Sequence, residues 1–203
     1  MPDTDIELKV LSYLQLSGKG ADMNVFDNQG YTPLILASMC NNVVIVRLLV
    51  DAGADKDTVC LSNGCSALHY AAANNHMEVA RLLVQAGADC RALSAFTLHC
   101  SVLSADMNVA DQRGYTPLIL ASMCNNVSVV RLLLDAGADK DTVCQMHGYS
   151  ALHFAAANNH VEVARLLVKA GADCRVLSGV FRLTALDVAL KDGHTEIIQL
   201  LSG

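Results

Sequence analysis

The sequence predicts an all-α solenoid, built from helix–corner–helix units joined by β-hairpin loops. The first observation behind it is a duplication. Residues 21–94 and 105–178 align without a gap and differ at 14 of 74 positions. The second is a shorter period inside each copy. Ala-Gly-Ala-Asp recurs at Ala52–Asp55, Ala86–Asp89, Ala136–Asp139 and Ala170–Asp173, in steps of 34, 50 and 34. A period of 33–34 residues marks a stacked-repeat architecture, in which each unit buries its apolar face against its neighbours.

Each element of the unit has a local cause. In Gly30-Tyr31-Thr32-Pro33-Leu34-Ile35-Leu36-Ala37, the Thr32 hydroxyl caps a helix whose first position holds Pro33, where the missing N–H costs nothing. Gly30 supplies the turn before it. A polar corner, Cys40-Asn41-Asn42, leads to a second helix over about Val43 to Asp51, with Val46, Leu49 and Val50 at three- and four-residue spacing. Gly53 ends that helix as a left-handed cap. The chain then returns through Ala54–Ser66, with the turn signal Asn63-Gly64.

Composition sets further bounds. With 53% hydrophobic and 17% charged residues, the chain is too apolar for disorder. Fourteen basic against 20 acidic residues, net −6, disfavour nucleic acid, which needs a basic surface. The apolar runs Leu34–Ala37 and Val43–Val46 are far short of the roughly 20 residues of a membrane span. The acidic N-terminus is unlike a signal peptide. A soluble intracellular protein is expected, cytoplasmic or nuclear. Six of the eight cysteines recur at the 84-residue offset (Cys40/Cys124, Cys60/Cys144, Cys90/Cys174), leaving Cys65 and Cys100. Without Cys-x-x-Cys or zinc spacing, they read as small apolar residues in a reducing compartment.

The repeated strings resemble the ankyrin repeat family, whose units open on Thr-Pro-Leu-His-x-Ala and close on Gly-Ala-Asp. They are Thr32–Ala37, Ser66–Ala71, Thr116–Ala121, Ser150–Ala155 and Thr184–Ala189. The resemblance divides residues 1–203 into repeats 21–53, 54–87, 105–137, 138–171 and 172–203, with 5–20 as an N-terminal capping helix. Residues 88–104 stand where a full unit of about 33 is expected. That truncated unit implies a break into two blocks (1–92 and 105–203), a spacer helix near Ala95–Leu103, or a deletion of part of a repeat. Half a unit would leave apolar faces bare.

No catalytic or metal constellation is expected, and no cofactor. Phosphate loop, Gly-x-Ser-x-Gly and His-Glu-x-x-His are all missing from the sequence. His69 and His153 hold the fourth position of the opening motif, and His76, His160 and His194 the corner. The resemblance makes them structural, bonded to nearby backbone. His147 sits at a hairpin tip, towards solvent or a partner. Asp55, Asp89, Asp139 and Asp173 read as satisfying backbone donors at hairpin bases. Leu16-x5-Asp22-x-Asn24 is similar to a site of asparagine hydroxylation in the family; the residue-level reading of Asn24 is a hairpin Asn bonded to its own backbone.

The two copies differ most at the hairpin tips. Residues 25–31 and 59–65 are 14 of the 74 positions and hold seven of the 14 differences: Phe26/Ala110, Asn28/Gln112, Gln29/Arg113, Leu61/Gln145, Ser62/Met146, Asn63/His147 and Cys65/Tyr149. Ile45/Val129, Val50/Leu134 and Tyr70/Phe154 read as swaps a core tolerates. The resemblance implies a concave recognition surface of tips and inner helices. It comprises Phe26, Asn28, Gln29, Tyr31, Met39, Leu61, Ser62, Asn63, Cys65 and Asn74 in the first copy. The second copy supplies Gln112, Arg113, Tyr115, Met123, Gln145, Met146, His147, Tyr149 and Asn158. Unconstrained drift of surface loops accounts for the same differences. The implied function is binding another protein, as adaptor, inhibitor or scaffold, without catalysis. The alternative is a self-assembling array whose copies meet through the faces bared at 88–104.

Overall fold

The computed structural model describes residues 22–88, 114–179 and 181–203. The capping segment 5–20, the spacer region near Ala95–Leu103, Asp89, Gln112 and Arg113 lie outside the described residues. Among the described residues ten helices follow one another: α1 (Pro33–Met39), α2 (Val43–Asp51), α3 (Ala67–Ala73), α4 (Met77–Gln85), α5 (Pro117–Met123), α6 (Val127–Asp135), α7 (Ala151–Ala157), α8 (Val161–Lys169), α9 (Ala185–Asp192) and α10 (Thr195–Ser202). They pair as antiparallel hairpins. The odd-numbered inner helices stack in one row and the even-numbered outer helices in a second.

The caps form as the sequence dictates. Thr32 Oγ1 accepts the Ile35 N–H at 3.3 Å with Pro33 in the first turn, and Thr116 repeats this on Ile119 at 3.2 Å. At the end of α2, Gly53 has φ +86°. There Ala54 N–H returns to Leu49 O and Gly53 N–H to Val50 O, the paired bonds of a Schellman cap. Asn41, Asn75, Asn125 and Asn159 take the same left-handed conformation at the inner-helix corners, where asparagine is the residue after glycine that best tolerates it. The returning loops close through single bridges, Val59–Ser66 and Val143–Ser150.

Leu34, Leu49, Leu68, Leu83, Leu118, Leu133, Leu152 and Leu167 are fully buried between successive units. Ile45 and Val129 are buried too, as the tolerated-swap reading expects. Cys60 and Cys144 are buried small residues, whereas Cys124 lies at the surface and departs from the apolar-core reading.

The two copies do not part at the truncated unit. α3 packs on α5 as α1 packs on α3 and α5 on α7. His69 Nε2 bonds Tyr115 O at 3.0 Å, and Asn126 Nδ2 donates to Ala72 O at 2.7 Å and Ala73 O at 3.1 Å. The faces expected to be bare beside 88–104 therefore cover one another, which corrects the two-block reading. The physical reason is the small-residue surface of α3 and α4. Ala72 and Ala80 are wholly buried against α5 and α6, as their counterparts Ala156 and Ala164 are against α9 and α10.

Candidate protein-binding surface

The hairpin tips are held to one another and to their own helices by backbone bonds. Asp27 Oδ1 accepts the N–H groups of Gln29 and Tyr31, both at 2.9 Å. Leu61 N–H donates to Gly30 O at 3.0 Å, so the tip of one unit rests on the tip before it. Gly179 N–H makes the same kind of bond to His147 O at 3.0 Å. At the loop bases Asp55, Asp139 and Asp173 accept the N–H groups of Asp57, Asp141 and Arg175. These bonds hold the Asp139 and Asp173 carboxyls below the usual range. Asn24 corrects its expected role: its Oδ1 accepts the Asp55 N–H of the next unit at 2.8 Å, and not its own hairpin's backbone.

On this frame, Phe26, Asn28, Gln29, Leu61, Ser62, Asn63, Gln145, Met146 and His147 are exposed, and Tyr31, Cys65, Tyr115 and Tyr149 are half-buried beneath them. Met39 and Met123 are half-buried and rest on the core. Asn74 and Asn158 are exposed, each with its amide folded back onto a carbonyl of its own helix, Tyr70 O and Phe154 O. Gln112 and Arg113 are outside the described residues.

The two copies build different surfaces from one backbone. In the first, Tyr31 and Tyr70 meet edge to face at 6.1 Å between ring centres. Asn63 Nδ2 donates to the Tyr70 hydroxyl at 2.8 Å while its Oδ1 accepts the Cys65 N–H at 3.0 Å. Burial raises the Tyr70 phenol far above its ordinary value, the Asn63 bond working against it. Burial, with Cys60 alongside, pushes the Cys65 thiol up to about 11, so it is a thiol and not a thiolate at neutral pH. In the second copy the space is aromatic. Tyr149 lies 5.4 Å from Phe154, 5.2 Å from His153 and 5.8 Å from His147, and Tyr115 meets Phe154 edge to face at 5.6 Å.

Tyr70 was missed as a residue of this surface, and the core-swap reading holds for Phe154, which is buried, but not for Tyr70. Tyr70 is half-exposed and its hydroxyl belongs to the tip network. A signal was present: the hydroxyl is lost in the same copy in which Asn63 becomes His147 and Cys65 becomes Tyr149.

Five of the histidines are occupied by backbone, whereas His147 is exposed at its tip. His69 Nδ1 accepts the Ser66 N–H at 3.2 Å and its Nε2 faces Tyr115 O, which fixes the proton on Nε2. His153 repeats this with Ser150 N–H and Leu183 O, and burial lowers its pKa. His76, His160 and His194 each turn Nδ1 to a carbonyl of the preceding unit (Ser38, Ser122, Ala156) at 2.8–2.9 Å. Among the described residues no group of three or more His, Cys, Asp or Glu side chains is placed to hold a metal ion. Nor is any described helix long and apolar enough to cross a membrane.

Stacked helix pairs with interlocking tips, capped by Thr-Pro or Ser-x-x-His, define a helical repeat protein of the kind that mediates contacts between proteins. A family model for ankyrin repeats (three copies) matches residues 7–94 and again 92–178, and the chain belongs to the ankyrin repeat family. A comparison with curated proteins gave no match.

Proposed function

We propose that the chain binds a partner protein across its hairpin tips and the exposed side of its inner helices, and performs no chemistry of its own. The observation that carries this reading is a row of side chains just before the inner helices. Tyr31, Cys65, Tyr115, Tyr149 and Leu183 supply one half-buried side chain per repeat, at the foot of the tips where the copies differ most. Tyrosine suits the core of an interface, combining large area with a polar end and little side-chain entropy to lose. His69, His153, His76, His160 and His194 each face a backbone carbonyl, which suits structural roles for these five. The net charge of −6 fits a partner of basic or mixed charge. Adaptor, inhibitor and scaffold are all served by such a surface.

The test is affinity capture with wild type, with Tyr31, Tyr115 and Tyr149 changed together to Ala, and with the exposed trio Gln145, Met146 and His147 changed to Ala. A protein kept by wild type and lost by both variants, each with an unchanged circular dichroism spectrum, supports the reading. Equal retention by all three chains removes the tips from the interface and overturns it.

A further inference from the structure

We propose that the tip carrying Phe181 and Arg182 anchors the partner, and that it takes an acidic segment in which carboxylates flank an apolar side chain. This rests on the tip-binding reading above and names the chemistry of one contact in it. Phe181 stands where the two preceding long tips hold Asn63 and His147. Its side chain is 79% exposed, more than any other large apolar residue described. The slot stays in water when another tip follows. Gly179 N–H bonds His147 O at 3.0 Å, and His147 is exposed all the same.

The tip is rebuilt to carry that ring. In the first copy Asn63 Oδ1 accepts the Cys65 N–H at 3.0 Å, a bond that phenylalanine cannot make. In the last tip Ser178 replaces Cys60 and Cys144. It is buried, and its Oγ accepts the equivalent N–H, that of Leu183, at 2.9 Å. Ser178 N–H donates back to Leu183 O at 2.8 Å, which locks the base of the tip from both sides. Arg182 takes the slot of Gly30, Gly114 and Gly148, at φ +47°. Among the described residues it is the only one besides glycine and asparagine with positive φ, a conformation arginine holds against strain. The glycines are required because the next tip lies on them. A Cβ there would stand 2.7 Å from Leu61 Cβ, 2.8 Å from Gln145 N and 2.1 Å from Gly179 N. A tip laid on Arg182 in the same way would meet its Cβ. Stacking therefore gives no reason for the arginine, whose side chain is exposed.

The chemistry around the ring selects the occupant. Gln145, Met146, His147, Phe181 and Arg182, the exposed side chains described on the last two tips, include a cation and no carboxylate. Arg182 forms no ion pair among the described residues. The acids nearest in sequence are already engaged. Asp173 accepts from Arg175 N–H and Nε, and Asp187 from the Thr184 N–H and hydroxyl. A guanidinium beside an exposed ring fits a carboxylate through paired N–H bonds, while Phe181 and Met146 supply apolar contact area. A basic segment would meet Arg182 with like charge, although the chain as a whole is acidic.

Fluorescence anisotropy on the full chain tests this with two labelled peptides, one alternating Glu with Leu and one alternating Lys with Leu. The Glu–Leu peptide is expected to bind about tenfold more tightly than the Lys–Leu peptide. Phe181→Ser weakens its binding about thirtyfold, the scale of an aromatic anchor, and leaves the circular dichroism spectrum unchanged because the ring packs in water. Arg182→Gly weakens it about tenfold and at the same time raises the urea midpoint, since glycine takes this conformation without strain. A merely structural arginine would not couple weaker binding to a more stable fold. Equal binding of the two peptides, binding of neither, or wild-type affinity in either variant overturns the proposal. The capture experiment is read separately: a partner still lost by its variants while the peptides fail overturns the acidic-segment assignment alone.

Discussion

His69 Nε2 lies 3.0 Å from the carbonyl oxygen of Tyr115, 46 residues further along the chain. The same imidazole accepts the Ser66 N–H through Nδ1. One neutral ring thus caps its own helix and fastens the first copy to the second.

The matching ring in the second copy makes stability depend on pH. Burial depresses the His153 pKa below 6.5, so the unfolded chain binds a proton that the folded chain refuses. The sign follows from linkage: full stability above pH 6.5, lost as pH falls towards the folded-state pKa, at up to about 1.4 kcal/mol per pH unit. His153→Gln should flatten this part of the profile while lowering stability at pH 8. Urea midpoints between pH 8 and pH 5 would check it; parallel profiles for the two chains would contradict it.

Asn126 tests the junction between the copies directly. It is buried, and its amide serves two carbonyls, Ala72 O and Ala73 O. Asn126→Ala leaves both acceptors without that donor, at a cost of about 1–3 kcal/mol. A change near zero in equilibrium unfolding would mean that the two copies are not joined there.

Two buried hydroxyls point the other way. Ser38 Oγ and Ser122 Oγ are buried with no hydrogen-bond partner among the described residues. Alanine already fills the equivalent places as Ala72 and Ala156. Ser38→Ala and Ser122→Ala should each stabilise the fold, by about 1 kcal/mol, by removing a desolvated hydroxyl. A fall in the melting temperature would show that the hydroxyls are satisfied in solution.

Glycine is required at Gly148 for a reason unlike that at Gly137. Both have positive φ, +65° and +84°. A Cβ on Gly148 would stand 2.1 Å from Gly179 N, whereas one on Gly137 meets nothing within 4 Å. Gly137→Ala should cost about 1 kcal/mol, the backbone penalty alone, and Gly148→Ala more than twice that, because two tips must separate. Equal losses in unfolding free energy would refute the tip-on-tip contact.

The units were legible because their signals are local. Thr32 before Pro33, Asn41-Asn42 at the corner and Gly53 after α2 each fix a cap within a few residues of itself, and the structure keeps all three. The junction was not legible, since a count of residues between Ala88 and Ala105 says nothing about which surfaces meet. Covering α3 with α5 depends on a far face that α3/α4 shares with α7/α8, a property of folded surfaces. At the candidate site the tip residues were readable from the differences between copies. Tyr70 was not, because its change to Phe154 looks conservative until Asn63 is seen bonded to the hydroxyl.

The shared far face has a consequence for how such a chain changes length. Ala72 and Ala156 present the same small, sealed surface to two different successors, α5 and α9, and both successors fit. Junctions of this kind are interchangeable couplings. A block of two repeats can be copied or dropped and the ends still mate, with no compensating change in any core. The 84-residue duplication needs no more than that, and selection can then act on the tips of each copy independently, which is where seven of the 14 differences fall.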